Sequence, residues 1–202
     1  MFPHKLQLKV FVTADSADAA PAEAFIPIFH RWIKERLLPE LVVDVANYAH
    51  VPEGPGVGLI GHGSDYFMDR GEGRLGLVHT RKRSGSSEEE RLGDLVRRTL
   101  HVAALLEKER VFEGKLRFAP GELLFRVNDR LAAANDDATF AAFAPELAAF
   151  AEKVYGGPCE LRRVGGPKDL FAVRITHASS TPLAALLERA GGPPGPDAPL
   201  VG

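Results

Sequence analysis

The fold of this chain is indicated first by residues 5–13, KLQLKVFVT, in which Leu6, Leu8, Val10 and Val12 recur at every second position. This two-residue period is typical of a β-strand with one buried face. The same alternation returns more than a hundred residues later in residues 122–129, ELLFRVND. Both segments are therefore predicted to be strands, and the remaining elements are predicted from the sequence between and after them.

Apolar residues at helical spacing predict the helices. Three of these span Glu23–Leu38, Glu88–Glu109 and Ala138–Tyr155, and a short fourth follows Thr181-Pro182. Ser87 and Glu90 form a capping-box pattern at the start of the second helix, which we expect to be the central one.

Further strands are predicted where β-branched or alternating segments lie between glycine and proline turns. The expected segments are Leu41–Tyr48, Gly56–His62, Tyr66–Arg70, Arg74–Arg81, Lys115–Phe118, Cys159–Val164 and Leu170–His177. The expected turns are Pro52–Pro55, Gly71–Gly73, Pro120-Gly121 and Gly165–Pro167.

The order of these elements suggests an internal repeat. Residues 5–62 and 122–177 both read strand, helix, strand, glycine/proline turn, strand, and they end in His62 and His177. We therefore predict an α+β fold with an antiparallel or mixed sheet and helices packed mainly on one face. Two pseudo-repeated β-α-β-β halves, ferredoxin-like, would flank a central hairpin and helix of residues 66–109. The expected domain is residues 1–190, and residues 191–202 are expected to form a flexible tail.

Composition narrows the classes of function. A formal net charge of −2 argues against a general nucleic-acid binder, which would carry a marked basic excess. The single cysteine, Cys159, excludes an intrachain disulfide framework. No stretch approaches the ~20 apolar residues of a membrane span, and Lys5, Lys9 and Asp15 interrupt the early apolar run. We expect a cytoplasmic protein without a membrane partner.

Polar residues that could carry chemistry concentrate between residues 44 and 82. If a hairpin turns at Pro52–Pro55, His62 lies opposite Asp44 or an earlier residue, close to Asp65 and Tyr66. Arg81, in a local basic patch with Lys82, Arg83, Arg70 and Arg74, could hold a phosphate or carboxylate. The acidic run Glu88–Glu90 follows directly, and a solvated loop is the alternative that such a run of charges favours. The predicted ligand-binding residues are therefore Asp44, His62, Asp65, Tyr66 and Arg81, while catalytic residues and cofactor stay unknown.

Three more specific kinds of site have less support in the sequence. A metal site on His62 and Asp65, with Asp44 or His79, lacks a second paired histidine motif, so none is predicted. Ser64 lies beside His62 and Asp65 but lacks the strand–turn–helix context of a nucleophile elbow. The glycines of residues 56–61, GVGLIG, match a dinucleotide-binding pattern, but no helix follows them to receive a phosphate.

Residues 50–66, HVPEGPGVGLIGHGSDY, resemble a stretch found in a family of uncharacterised bacterial proteins. The resemblance covers about a third of the chain, from Leu41 to Arg81, and implies no known activity. It agrees with the interpretation that this segment is the distinctive part.

Three hypotheses for function follow. The first is a binding or regulatory module, with a homodimer as one arrangement, that takes a small anionic ligand near His62, Asp65, Tyr66 and Arg81. The second is an enzyme that uses His62 and Asp65 for acid–base or metal-assisted chemistry, so the question of enzyme activity stays open. The third is a scaffold or interaction protein without a pocket. No complete catalytic set is evident, which favours binding.

Overall fold

The computed structural model describes residues 3–51, 54–82, 90–178 and 181–195. Its strands are β1 Leu6–Val12, β2 Val42–Tyr48, β3 Gly56–Gly61, β4 Ser64–Asp69, β5 Gly76–Arg81, β6 Phe118–Val127, β7 Glu160–Val164 and β8 Phe171–Thr176. Its α-helices are α1 Ala22–Glu35, α2 Arg91–Glu107, α3 Asp137–Tyr155 and α4 Leu183–Arg189. Short 3-10 helices cover Ala14–Ala19, Gly71–Gly73 and Arg110–Phe112.

The eight strands form one sheet in the order β2-β3-β4-β5-β1-β6-β8-β7, with antiparallel pairing throughout. The two alternating segments of the sequence, β1 and β6, are neighbours inside the sheet, where Leu8 lies opposite Phe125. The predicted α+β class with an antiparallel sheet is confirmed.

The main core lies between one face of this sheet and the helices. Helix α1 contributes Phe25, Ile28, Phe29 and Trp32, all of them buried. The alternating residues of β1 meet this layer because successive side chains of a strand point to opposite faces. On the other face Phe11 and Leu124 belong to a small separate cluster, so the helices pack mainly on one face, as predicted.

The ferredoxin-like pseudo-repeat is not confirmed. Within residues 122–177, β6 pairs with β8, but within residues 5–62, β1 does not pair with β3. Strand β1 pairs instead with β5, because β2, β3, β4 and β5 form a continuous meander that returns to it. An eight-stranded sheet is also larger than a ferredoxin-like one.

Two predicted element boundaries differ from the structure. Pro120 and Gly121 do not turn between two strands but lie within β6, where the register shifts between Val10, opposite Leu123, and Phe11, opposite Ala119. Such an irregularity accommodates a proline that cannot donate to the ladder.

Helix α2 begins at Arg91. Ser87 of the predicted capping box lies outside the described residues. Residues 196–202 of the predicted tail also lie outside them. Among the described helices none is long and apolar enough to cross a membrane.

Two glycines test how tightly the meander is packed. Gly56 and Gly73 both have positive φ, at 76° and 68°. A Cβ at Gly56 would overlap the carbonyl oxygen of Met68, whereas one at Gly73 would meet nothing within 4 Å. We expect Gly73→Ala to lower the free energy of unfolding by roughly 1–2 kcal/mol, the cost of a left-handed backbone. We expect Gly56→Ala to cost a further ~1–3 kcal/mol from overpacking, measured by urea unfolding. Equal losses would show that β3 and β4 separate freely.

Candidate functional site

A group of polar side chains is buried between the sheet and helix α2. The alternation along β4 directs Ser64 and Tyr66 toward the helices, and their cross-strand neighbours Arg81 and His79 on β5 share that face. Buried polar groups require hydrogen-bond partners. These are supplied by α2 and by Glu40, which precedes β2.

The charged members alternate in sign. The Arg98 guanidinium donates to Glu40 Oε2 at 2.8 Å and to Asp94 Oδ1 at 2.9 Å. Asp94 Oδ2 accepts from Arg81 Nη1 at 2.9 Å. Tyr66 donates its hydroxyl proton to Glu40, and burial, together with this carboxylate, raises the pKa of the phenol. Two cations and two anions therefore compensate one another within the core.

His79 lies beside this chain of charges. Its Nδ1 is 3.2 Å from Leu95 O and 3.1 Å from Thr99 Oγ1, and its Nε2 is 3.0 Å from Ser64 Oγ. Because a backbone carbonyl only accepts, Nδ1 carries the proton toward Leu95, and Nε2 accepts from Ser64. The ring stacks on Tyr66 with centroids 4.5 Å apart. Burial lowers the pKa of His79 to about 3, so the ring is neutral.

The Ser64–His79 contact has the length of a nucleophile–base pair, but its surroundings differ from those of one. A general base works best with a pKa near the operating pH, and that of His79 is about 3. In the described part of the chain no carboxylate is bonded to its Nδ1, and Ser64 is 5% exposed. The pair therefore fits a structural polar network better than a catalytic one.

The five predicted ligand-binding residues do not converge on one site. Tyr66 and Arg81 join the buried network, but Asp65 lies on the opposite face of the sheet and accepts from Lys82 Nζ at 2.8 Å. Asp44 shares that opposite face and accepts from the amide of its neighbour Val45 at 2.8 Å.

His62 is exposed in the tight turn between β3 and β4, and its amide donates to Leu41 O at 2.9 Å. The expected hairpin is therefore correct, because Leu41 precedes Asp44 in the chain and lies just before β2. Among the described residues no group of three potential metal ligands comes together.

No sequence pattern indicated Glu40, Asp94 and Arg98 as a group, and His79 was expected only as an optional metal ligand. Two sequence patterns could have indicated part of this group of residues. Asp94 and Arg98 are spaced i,i+4 on α2, as an ion pair requires. The alternation of residues 76–81 also places His79 and Arg81 on the same face as buried Leu77. Nothing local marks Glu40.

A cleft of about 780 Å³ opens at the opposite end of the β3–β4–β5 meander. Its walls are the start of α1, the β2–β3 connection and the β4–β5 connection, and its floor is formed by buried Phe25, Met68 and Leu75. Arg70 lines the cleft with an exposed side chain. Within the described part of the chain Arg70 has no ion-pair or hydrogen-bond partner for its guanidinium.

The rim of the cleft is fixed by a buried lysine. Lys9 Nζ donates to Gly71 O at 2.7 Å and to Glu72 Oε2 at 3.0 Å, and its side chain is fully buried. Arg126 also donates to Glu72. The carboxylate of Glu72 is thereby neutralised by two cations, so that, among the described residues that line the cleft, Arg70 is left without a compensating charge.

Comparison with known proteins gives no relative: no family model, no curated protein and no solved structure matches this chain. Function is therefore inferred from the geometry of the buried network and the cleft.

The ion network leads to a stability prediction. Glu40→Gln removes the anion that Arg98 and Tyr66 share, and breaking a buried pair from one side typically costs about 3–5 kcal/mol. We expect a loss of that order in urea unfolding. Lys115→Gln, which removes one partner of an exposed pair, is the control and should cause no measurable loss. A Glu40→Gln protein as stable as its parent would show that solvent reaches the network.

The neutral, buried His79 leads to a pH prediction. Its folded pKa of about 3 lies below the ordinary 6.5, so the unfolded chain takes up a proton that the native one does not. Stability should then fall as pH drops from 6.5 toward 3, by about 1.4 kcal/mol per pH unit from this residue. His79→Asn, which keeps a donor for Leu95 O, should lack this part of the slope in unfolding measurements at pH 7, 6, 5 and 4.

The exposed His30→Asn variant is the matched control for that series and should keep the parental slope. An identical slope in the His79→Asn and parent proteins would contradict the assignment of a neutral imidazole.

Proposed function

We propose that this protein is a binding module for a small amphipathic anion, which occupies the cleft between the start of α1 and the β2–β3 and β4–β5 connections. The observation that carries the proposal is the Arg70 guanidinium, which no described residue pairs, in a cleft with an apolar floor. The anionic class of ligand is the one expected from the sequence, but the site lies away from His62 and Asp65.

The size of the cleft supports a small-molecule ligand. Small-molecule sites typically enclose about 300–1,000 Å³, and this cleft has about 780 Å³. Phe25, Met68 and Leu75 offer apolar contact to the body of a ligand. Glycines 54, 56, 71 and 73 at the rim let a ligand approach the backbone closely.

The charges of the cleft support an anionic head group. A guanidinium presents paired N–H donors that match a carboxylate or phosphate, and in a bound pair it would be neutralised. Glu72 does not compete for Arg70, because Lys9 and Arg126 already engage it. Helix α1 begins at Ala22, which lines the cleft, and the free backbone N–H groups of its N-terminus add partial positive charge there.

The enzyme hypothesis has less support. His62 is exposed in a turn, and Asp65 is paired with Lys82, so no observation favours acid–base or metal-assisted chemistry by these two residues. The buried network of Glu40, Tyr66 and His79 is compensated internally, which suits a role in positioning α2. We therefore propose binding without assigning a reaction.

The ligand class can be tested by thermal shift with octanoate, decanoate, 3-phenylpropionate and hexyl phosphate, each beside its neutral alcohol or amide. At ten times Kd a ligand stabilises the native state by about 1.4 kcal/mol, a shift of roughly 3–5 °C for a chain of this size. We expect a shift from at least one anion and none from its neutral analogue. Arg70→Gln should abolish the shift.

Two variants serve as controls for Arg70→Gln. Arg74→Gln removes the same charge nearby, but Arg74 is paired with Glu122 and lies outside the cleft lining, so the shift should persist. The double variant His62→Asn/Asp65→Asn removes the alternative site, and the shift should again persist. Loss of the shift in the double variant with retention in Arg70→Gln would move the ligand to the hairpin, against this proposal. No shift from any anion at 5 mM would also contradict it.

A further inference from the structure

The β4–β5 connection holds a backbone conformation that its central residue does not favour. Glu72 has φ 60° and ψ 23°, in the left-handed region that residues other than glycine rarely adopt. Gly71 and Gly73 lie on either side of it, and glycine gives the backbone its greatest freedom. A strained residue between two glycines persists only when its surroundings hold it, and such strain is concentrated at ligand clamps and switch segments.

The buried ammonium group of Lys9 contacts this connection on both sides of Arg70. Its Nζ lies 3.4 Å from Asp69 Oδ2, which precedes Arg70, and 2.7 Å from Gly71 O, which follows it. It also donates to Glu72 Oε2 at 3.0 Å. The other oxygen of Asp69 accepts from the Gly71 amide. The backbone at Arg70 is therefore bracketed by residues that share one cation, and we call these contacts of Lys9 the clamp.

Lys9 is itself held in place by the centre of the sheet. Strand β1 pairs with β5 on one side and with β6 on the other. The Lys9 side chain is fully buried and crosses Gly76 of β5, where a Cβ would lie 2.7 Å from Lys9 Cε. Its Nζ lies 5.2 Å from the centre of the Phe11 ring, within the range of a cation–π contact. Lys9 is not among the described residues that line the cleft, so it acts on the connection from a rigid strand outside the site.

We propose that Lys9 is a positioning residue for the anion site, and that the clamp holds the β4–β5 connection so that Arg70 stays directed into the cleft. The inference rests on the function proposed above, and it adds that anion affinity depends on a residue that does not touch the ligand. Without the clamp, residues 70–73 would sample several conformations. The apparent affinity would then fall with the fraction of molecules that present Arg70 to the ligand.

Charge alone would also lower the anion affinity when Lys9 is removed, since Lys9 is a cation near the site. Residue 72 separates the two explanations. Asn adopts the left-handed region several times more readily than most residues, whereas Gln does not. Glu72→Asn and Glu72→Gln remove the same charge. In a protein without Lys9, the two variants therefore differ in how well residue 72 keeps its backbone conformation and not in charge.

The affinity test uses isothermal titration calorimetry on the full chain with octanoate or hexyl phosphate, whichever binds the parent more tightly. Lys9→Met should weaken binding about tenfold. Lys9→Met/Glu72→Asn should recover most of that loss, and Lys9→Met/Glu72→Gln should recover little. Arg126→Gln removes the other cation on Glu72 but leaves the clamp, so it should weaken binding less than about threefold. Equal losses in Arg126→Gln and Lys9→Met, or equal recovery by Asn and Gln, would overturn the proposal.

A second measurement needs no ligand. Hydrogen exchange followed by NMR reports on the Gly71 and Arg74 amides, which are both hydrogen-bonded within the connection. In Lys9→Met both should exchange about tenfold faster, while the Val12 amide, which donates to Leu75 O, should not change. Faster exchange in a protein whose parent binds neither anion would contradict the proposed ligand and leave the clamp. Unchanged exchange in a protein whose parent binds an anion would contradict the clamp alone.

A variant that keeps Lys9 covers the case in which Lys9→Met fails to fold. Glu72→Gln and Glu72→Asn in the parent both remove the ion pair with Lys9, but Gln leaves the backbone strain in place. Glu72→Gln should therefore bind the anion at least about threefold more weakly than Glu72→Asn. Equal affinities of these two variants would overturn the proposal.

Discussion

The pairing of Arg98 with Glu40 and Asp94 determines how helix α2 sits on the sheet. Arg98 is 8% exposed, and its guanidinium joins the helix to the segment before β2, while Asp94 joins the same helix to Arg81 on β5. Buried ion pairs add little net stability compared with an apolar core, because desolvation offsets the attraction. They do penalise alternatives, since any shift of α2 would leave an uncompensated charge. We regard this network as a device that specifies one packing of α2.

The same network explains why a serine and a histidine meet without implying catalysis. Ser64 and His79 occupy neighbouring strands at positions that face the helix layer, where an unbonded hydroxyl or imidazole would be costly. The hydrogen bond to Leu95 O fixes one tautomer, and burial keeps the ring uncharged. Each polar group at this place is satisfied by another one.

Local elements of this fold could be predicted from sequence, but their arrangement could not. The alternation of residues 5–13 and the helical spacing of residues 23–38 report on each segment alone, and both elements form as predicted. The neighbour of β1 in the sheet could be either β3 or β5. The pattern within each segment does not distinguish the two, because the choice depends on how many strands the meander forms before it returns to β1. His62 and His177 occupy corresponding positions at the ends of the two apparent halves in the sequence. The strands of the two halves nevertheless pair differently, because β1 pairs with β5 and not with β3.

Side-chain direction limited the prediction of the site in a similar way. Asp65 and Tyr66 are adjacent in sequence and were expected to act together, yet consecutive strand residues point to opposite faces of the sheet. Tyr66 consequently meets Glu40, 26 positions earlier in the chain, while Asp65 meets Lys82. The cleft could not be anticipated from sequence, since it is formed by the start of α1 and two strand connections that are distant in sequence.

Tyr48 joins the cleft to the open face of the sheet. It is one of the residues that line the cleft and it ends β2, while its ring lies 6.4 Å from that of Phe67 on the open face. A ligand that contacts this wall therefore contacts the last residue of β2. Arg70 lies on the β4–β5 connection, in a different wall of the cleft. The Tyr48 wall and the Arg70 charge thus come from separate connections, so Arg70→Gln removes the charge without altering the end of β2.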